Sequence, residues 1–217
     1  MSTTRILLVD DHALLRSAVA AQLDNEPDLE IVGQAANAEE GMAMASALSP
    51  DIIVMDIDMP GLICFDAVRR IVARQPDSRI AFLSAFSHDH YIDQALEVQA
   101  RGYLTKHEPP EVLVRAIREI AAGGAYFSEE VRRRLVVDSK GVHLSKGAKT
   151  VADKLTRREV EVLRYVARGL SKKEIARTMS LSTKTIENHS SNLMSKLDIH
   201  DRVELARYAI REGLAEA

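Results

Sequence analysis

Acidic residues follow two apolar runs of the sequence in a pattern that suits metal and phosphoryl chemistry. Asp10 and Asp11 end the run RILLVDD, and Asp56 ends the run DIIVMD. If the runs are neighbouring strands of a parallel sheet, the three carboxylates meet outside the carboxyl ends of those strands. Like charges so close repel each other unless a cation lies among them, and carboxylate oxygens suit Mg²⁺. These residues therefore predict a magnesium site.

Two further polar residues would complete a site for a phosphoryl group. Ser84 ends the run RIAFLS and offers a hydroxyl, and Lys106 ends GYLTK and offers an ammonium. A metal ion, a lysine and a hydroxyl can share the oxygens of a phosphoryl group. Because a carboxylate can itself be a nucleophile, the central Asp56 is predicted to form an aspartyl phosphate.

The elements that position these residues alternate between strands and helices. Apolar runs predict strands at 5–10, 29–36, 51–56, 79–85 and 102–106. Helical patterns lie at about 12–24, 38–48, 64–75, 88–98 and 109–122. Such alternation is typical of an α/β doubly wound sheet covered on both faces. We expect a flavodoxin-like, five-stranded parallel sheet of order 2-1-3-4-5, in which strands 1 and 3 are neighbours.

The second part of the chain shows only helical patterns and predicts a small all-α domain. Helices are expected at about 157–168, 172–179, 183–197 and 202–212, and two of them begin with a capping-box pattern, Thr156–Glu159 and Ser171–Glu174. Before them lies a polar stretch rich in Gly, Ser and Lys, preceded by a possible short helix at 128–137. The predicted domains are therefore residues 1–124 and 153–217, with 125–152 as the linker.

The helices at 172–179 and 183–197 are a helix-turn-helix candidate. In that motif the second helix enters the major groove of double-stranded DNA. On this helix Ile186, Leu193 and Leu197 form an apolar face, which leaves a polar face for DNA. Asn188 could pair with adenine and Glu187 with cytosine, whereas lysines could bind phosphates. The predicted DNA contacts are Lys172, Lys173, Lys184, Thr185, Glu187, Asn188, Ser191 and Lys196.

Composition and charge agree with a division into two domains and argue against a membrane-spanning or disulfide-rich protein. Residues 1–127 hold 10 Lys and Arg against 19 Asp and Glu, whereas residues 151–217 hold 13 against 10. An acidic first part and a mildly basic second part suggest different partners. No run reaches the length of a membrane span, and one cysteine among 217 residues suits a reducing environment. We therefore expect a cytoplasmic protein without a membrane partner.

The first part resembles the receiver domain of two-component response regulators over about residues 4–122. The resemblance depends on VDDH (9–12), MDIDMPG (55–61), Ser84 and GYLTK (102–106), in this order and spacing. It implies that a sensor histidine kinase phosphorylates Asp56 and that Lys106 and Ser84 contact the phosphoryl group. It also implies that Mg²⁺ is held by Asp10, Asp11, Asp56 and the backbone carbonyl of Asp58. Tyr103 matches the family's switch aromatic, which becomes buried when the hydroxyl moves toward the phosphate.

An alternative resemblance and three departures accompany this interpretation. IIVMDIDM is also similar to the nucleophile motif of haloacid-dehalogenase-type phosphatases, but that family leaves Asp10 and Asp11 unexplained. Cys64 and Gln99 stand where receivers usually have glycine, and His107 where many have proline. A side chain at Cys64 requires a negative φ or a different turn, which puts metal affinity in question.

Residues 155–210 resemble the LuxR/FixJ-type helix-turn-helix over nearly its whole length. LTRREVEVL, GLSKKEIA, STKTIENH and KLDIHDR all fall in register. Together the two parts resemble a NarL/FixJ-type response regulator, which is a transcription regulator and not an enzyme. The resemblance implies a homodimer when active, with the last helix at the contact of the DNA-bound dimer. Lys172 replaces a common Asn, and Glu187 replaces a frequent basic residue.

Two functions remain open at this point. One is a DNA-binding regulator controlled by phosphorylation of Asp56. The other is a phosphorylation-independent helix-turn-helix regulator, in which the receiver is only a dimerisation scaffold. They differ in whether phosphorylation changes the affinity for DNA.

Overall fold

The structure, a computed structural model, describes residues 3–59, 64–138, 141–145 and 154–215. The chain divides into two compact units, Met1–Ser87 with Tyr91–Leu144 and Ser145–Ala217 with His88–His90, so the main boundary lies between Leu144 and Ser145. This division falls inside the segment 125–152 that the sequence predicts as a linker. The exact domain boundaries stay a prediction.

The N-terminal unit contains a parallel sheet in the order β2-β1-β3-β4-β5-β6. Its strands are β1 (Thr4–Val9), β2 (Leu29–Ala35), β3 (Ile52–Asp56), β4 (Arg79–Ser84), β5 (Gly102–Thr105) and β6 (Tyr126–Phe127). The predicted fold class and the order of the five strands are confirmed, and β6 extends the sheet by one short strand. β3 is buried along its whole length, because a sheet covered on both faces selects continuous apolar runs.

Five helices connect these strands, and their bounds differ from the predicted ones by at most one residue. They are α1 (Ala13–Asp24), α2 (Ala38–Leu48), α3 (Cys64–Arg74), α4 (Asp89–Glu97) and α5 (Pro110–Ala121). In the sheet Val9 pairs with Met55, the residues that precede Asp10 and Asp56. The register of β1 against β3 therefore brings the two aspartates to the same edge.

After α5 the chain forms more structure than the sequence predicts. β6 pairs with β5, and the short helix α6 (Glu129–Arg132) follows where a short helix was expected. Strands β7 (Leu135–Asp138) and β8 (Gly141–Leu144) then form an antiparallel hairpin. The possible helix predicted at 128–137 is therefore too long, because β7 takes its last residues, and no strand was predicted in the linker. Val131 on α6 is fully buried, and Ser128 just before α6 donates its backbone N–H to the carbonyl of Tyr103 in β5. The rest of the predicted linker, residues 146–152, lies outside the described residues.

The described part of the C-terminal unit contains the four predicted helices. They are α7 (Arg157–Ala167), α8 (Lys172–Thr178), α9 (Thr183–Leu197) and α10 (Arg202–Arg211). Both predicted capping boxes are present: Thr156 with Glu159 begins α7, and Ser171 with Glu174 begins α8. No described helix is both long enough and apolar enough to cross a membrane.

The two positions that usually carry glycine behave differently. Cys64 is the first residue of α3 and is buried, and it is not among the residues with positive φ. Its Cβ therefore causes no left-handed strain, while the preceding turn at residues 60–63 lies outside the described part of the chain. Gln99, in contrast, has a φ of 57° just before β5.

Replacing Gln99 by glycine should stabilise the protein. A residue with a Cβ in the left-handed region is strained, so Gln99→Gly should raise the free energy of unfolding by about 0.5–1 kcal/mol. Urea denaturation measures this difference. Gln99→Ala, which keeps the Cβ, is the control and should show no gain. Equal stability of the Gly and Ala variants would contradict the prediction.

Candidate functional site

The predicted acidic residues do come together at the edge of the sheet. Asp10, Asp11, His12 and Asp56 each place one ligand atom within 4.8 Å of the others. Asp10 and Asp11 follow β1, and Asp56 ends the neighbouring strand β3. The sheet topology thus brings Asp56 next to Asp11, although 45 positions separate them in the sequence. The resulting cluster of three carboxylates can hold a divalent cation.

His12 belongs to this cluster, although it is mainly a helix-start residue. Its backbone N–H donates to Asp10 Oδ1 at 2.7 Å, and its Nδ1 lies 3.0 Å from Asp11 Oδ1. The imidazole is more than half exposed. Because Mg²⁺ prefers oxygen ligands, the carboxylates remain the better candidates for metal binding.

Lys106 joins the cluster from the strand two places away. It follows β5, and its Nζ lies 2.8 Å from Asp56 Oδ2 and 3.0 Å from Asp10 Oδ2. Burial alone would lower the pKa of this lysine, but the charges and hydrogen bonds of Asp56 and Asp10 outweigh burial and raise it. The ammonium therefore stays protonated and bridges the two carboxylates.

Asp56 is the most deeply buried carboxylate of the cluster. It is 1% exposed, and its Oδ1 accepts a hydrogen bond from the backbone N–H of Asp58 at 3.0 Å. Burial raises the pKa of Asp56 to about 6, the charges of Asp10 and Asp11 add to the rise, and Lys106 opposes it. The charged form of Asp56 is thus less stable in the folded protein than in water, and an added cation would stabilise it.

Asp58 takes a different place from the other predicted metal ligands. Like Asp10 and Asp56, it is buried. Its carboxylate is not part of the described cluster of ligand atoms. What Asp58 supplies to the site is its backbone, through the N–H that binds Asp56. Whether its carbonyl binds a metal stays a prediction.

Ser84 and Tyr103 lie beside this cluster and share a partner that sequence analysis missed. Ser84 ends β4, is fully buried, and its Oγ accepts from the backbone N–H of Phe86 at 3.0 Å. The fully buried Tyr103 donates its hydroxyl to the carbonyl of Phe86 at 2.7 Å. Burial raises the pKa of Tyr103, so its hydroxyl remains a donor. No motif marks Phe86, because the backbone of this residue makes both contacts.

The candidate DNA-binding helix α9 has the two faces expected from its sequence. Ile186, Leu193 and Leu197 are buried, and the side chain of Ser182 caps the helix by accepting from the backbone N–H of Thr185. Among the predicted contacts, five are exposed: Lys172, Lys173, Lys184, Asn188 and Ser191. Thr185, Glu187 and Lys196 are partly buried. The polar face of α9 is therefore largely accessible within the C-terminal unit.

Lys196 differs from the other predicted contacts because it has a buried partner. Its Nζ lies 2.7 Å from Oε2 of Glu159, whose side chain is 3% exposed. The same oxygen accepts from the backbone N–H of Thr156 at 2.7 Å in the capping box of α7. Burial alone would raise the pKa of Glu159, but these hydrogen bonds outweigh it and lower the pKa. Lys196 thus ties α9 to the start of α7.

Asp56→Asn should stabilise the protein at neutral pH. The folded state raises the pKa of Asp56 from 3.8 to about 6, so wild-type stability falls as pH rises through this window. Removing the charge should raise the free energy of unfolding at pH 7 by about 1–3 kcal/mol, with the gain shrinking toward pH 4. Urea denaturation at both pH values, in metal-free buffer, measures it. The control is Asp77→Asn in an exposed turn; a gain that grows in acid would refute the prediction.

Lys196→Met should destabilise the C-terminal unit by leaving Glu159 buried without its cation. We expect a loss of about 1–3 kcal/mol at pH 7, which should shrink in acid as Glu159 becomes protonated in the folded state. Thermal and urea unfolding measure the loss. The matched control is Lys184→Met on the exposed face of the same helix, and adding Glu159→Gln should restore part of the stability. Equal losses at both lysines would show that the pair contributes nothing.

Two protein families match separate parts of the chain. Residues 6–118 match the response regulator receiver domain, and residues 153–209 match the bacterial regulatory proteins of the luxR family. The first match contains the acidic cluster, Ser84, Tyr103 and Lys106. The second contains α7 to α9 and most of α10. The families thus coincide with the two groups of candidate residues.

Relatives cover both parts together. The chain is 35% identical over 210 residues to the transcriptional regulatory protein LiaR of Bacillus subtilis, covering 97% of this chain and 98% of LiaR. It is 34% identical to the nitrate/nitrite response regulator protein NarL of Escherichia coli, covering 96% of each chain.

Solved structures show the same fold. A LuxR-family response regulator from Aurantimonas sp. has a TM-score of 0.58 and 34% identity over 61% of this chain and 94% of that one. The RcsB response regulator of Salmonella typhimurium has a TM-score of 0.75 at 22% identity, covering 98% and 100%. The chain therefore belongs to the NarL/FixJ-type response regulators, phosphorylation-dependent and DNA-binding regulators of transcription that join a receiver domain to a LuxR-type helix-turn-helix domain.

Proposed function

We propose that Asp56 accepts a phosphoryl group from a sensor histidine kinase and that this modification controls the binding of the C-terminal unit to double-stranded DNA. The observation that carries the proposal is the position of Asp56, buried between the ammonium of Lys106 and the carboxylates of Asp10 and Asp11. In the transfer, an oxygen of Asp56 bonds to phosphorus while the bond to the donor nitrogen breaks and that nitrogen keeps the electron pair.

The donor set fits Mg²⁺. Three carboxylates and one ammonium leave two negative charges uncompensated when all are ionised, which matches a divalent cation. Asp10, Asp11 and Asp56 would hold the ion, with the carbonyl of Asp58 as a further oxygen ligand. Bound there, Mg²⁺ would neutralise charge on the phosphoryl oxygens and favour the ionised nucleophile. These residues supply only oxygen, as a hard cation requires.

Lys106 and Ser84 would receive the phosphoryl group on Asp56. Lys106 already lies 2.8 Å from Asp56, so its ammonium can move from the carboxylate to a phosphoryl oxygen without crossing the site. Ser84 lies at the end of the strand next to β3 and offers a hydroxyl donor. In these roles both residues act on the phosphoryl group of Asp56 itself, so we expect one phosphoryl group per chain.

The C-terminal unit would read DNA through α9. Asn188 and Glu187 lie on its accessible side near the helix start, where a recognition helix approaches base edges. Lys172, Lys173 and Lys184 are exposed and suit phosphates, and Thr185 and Ser191 add hydroxyl groups. The pair with Glu159 makes Lys196 the weakest candidate for a phosphate contact.

A homodimer in the active state fits the surface of α10. Val203 and Ile210, which are seven residues apart and therefore share one face of this helix, are 58% and 39% exposed. The last helix is also where the family resemblance puts the contact of the DNA-bound dimer. We infer two DNA half-sites per dimer, and action in the cytoplasm, where bacterial DNA and its regulators meet.

Phosphorylation and DNA binding can be tested together. Wild type incubated with acetyl phosphate and Mg²⁺ should gain one phosphoryl group per chain, seen by mass spectrometry, and Asp56→Ala should gain none. Asp77→Asn, exposed and distant from the cluster, is the control and should behave as wild type. Omitting Mg²⁺ should prevent phosphorylation.

The second half of the test measures DNA affinity. Duplexes selected from a random pool by the phosphorylated protein should bind it at least about fivefold more tightly than the unphosphorylated protein, a typical coupling between sites. Asp56→Ala should lose this difference. Equal affinity of both forms would favour the scaffold function, and an unreactive wild type would refute phosphorylation of Asp56.

A further inference from the structure

The short helix α6 reaches back to the loop that follows Ser84. We call residues 85–87 the switch loop, because they connect β4 to the segment before α4. The hydroxyl of Ser87 donates to the carboxylate of Glu130, and the guanidinium of Arg134 donates to the carbonyl of Ser87. Both partners lie beyond residue 118, where the receiver match ends. A segment outside that match thus holds a loop that belongs to the phosphorylation site.

The switch loop is held on its other side by the sheet. The backbone of Phe86 donates to Ser84 Oγ at 3.0 Å and accepts from the hydroxyl of Tyr103 at 2.7 Å. Two consecutive residues are therefore held by different segments, Phe86 by Ser84 and Tyr103 and Ser87 by Glu130 and Arg134. The loop has little freedom to move unless one set of contacts breaks.

α6 itself is firmly attached to the N-terminal unit. Val131 is fully buried, and the backbone N–H of Ser128 donates to the carbonyl of Tyr103 at 2.9 Å. Arg134 and Glu130 also lie 4.0 Å apart, so their opposite charges support each other around Ser87. Glu130 on α6 and Arg134 two residues after it thus reach the loop from a segment that is joined to the sheet.

We propose that Glu130 and Arg134 are positioning residues for phosphorylation of Asp56, and that they act by holding the switch loop where Ser84 can meet the phosphoryl group. The inference rests on the proposed function of Asp56. It assigns to the segment after the receiver domain a role in the phosphorylation equilibrium.

A thermodynamic consequence follows from this arrangement. Suppose that the phosphoryl group and the segment at α6 favour the same position of the switch loop. Removing the contacts of this segment then lowers the fraction of molecules whose loop is positioned for phosphorylation, and the phosphorylation rate falls in proportion to this fraction. Coupling is reciprocal, so phosphorylation should in turn strengthen the contacts of α6. The segment that leads to the DNA-binding unit would then respond directly to the state of Asp56.

The test compares two ion pairs that each join α6 to a residue just after it. The double variant Glu130→Gln/Arg134→Met removes the contacts to Ser87. The control is the double variant Glu129→Gln/Arg133→Met, because the 3.1 Å contact that it removes joins two residues of the same segment. With acetyl phosphate and Mg²⁺, the first double variant should be phosphorylated about 3–10 times more slowly than wild type. The control should equal wild type, and Arg134→Lys, which keeps a cationic donor, should recover part of the rate. Thermal unfolding of each variant confirms that it is folded.

A second comparison separates positioning from loss of stability. If Arg134 acts through the loop that places Ser84, then Arg134→Met should add no further loss in a Ser84→Ala background. The inference would be overturned if the losses of rate from Ser84→Ala and Arg134→Met were additive. It would also be overturned if the Glu130 and Arg134 double variant were slowed no more than the Glu129 and Arg133 control. Normal or faster phosphorylation of the Arg134 variants would do the same, whereas an unreactive wild type would instead refute the proposed function of Asp56.

Discussion

The candidate site depends on one unfavourable arrangement, a carboxylate buried beside two others. Asp56 is kept in the charged form chiefly by Lys106, and burial still raises its pKa to about 6. A buried charge with a single cationic partner is stable only while the partner remains in place. The sheet must therefore hold β3 and β5 in fixed register, with β4 between them. The rigid, fully buried centre of the sheet meets this requirement.

The sequence predicted this site well because the information is local. Each functional residue ends an apolar run, and parallel strands that end at the same edge bring such residues together whatever the details of packing. The contacts of Phe86, Ser87 and Glu130 could not be predicted in this way. They use backbone atoms or exposed side chains that no motif marks, and the contact between Ser87 and Glu130 joins segments more than 40 residues apart. These contacts are determined by the three-dimensional fold and not by the types of the residues involved.

The helical unit shows the same contrast. Its helix bounds and both capping boxes could be predicted, because a hydroxyl and a carboxylate three residues apart act within one helix turn. The sequence assigned Lys196 to DNA phosphates, since a lysine on an amphipathic helix gives no sign of its partner. Only the packing of α9 against α7 shows that Glu159, already used in a capping box, also binds this lysine. One carboxylate thus stabilises two helices.

Tyr103 explains how a change at Asp56 can reach beyond the sheet. Its hydroxyl binds the carbonyl of Phe86, and its own carbonyl binds the N–H of Ser128 just before α6. The ring is fully buried and packs near Phe82, so it cannot shift without disturbing the core. A movement of the loop after Ser84 must therefore break the hydrogen bond of Tyr103 or carry α6 along. Glu130 on α6 and Arg134 just after it also bind that loop. The segment that continues toward the DNA-binding unit is therefore linked to the phosphorylation site through both side chains and backbone.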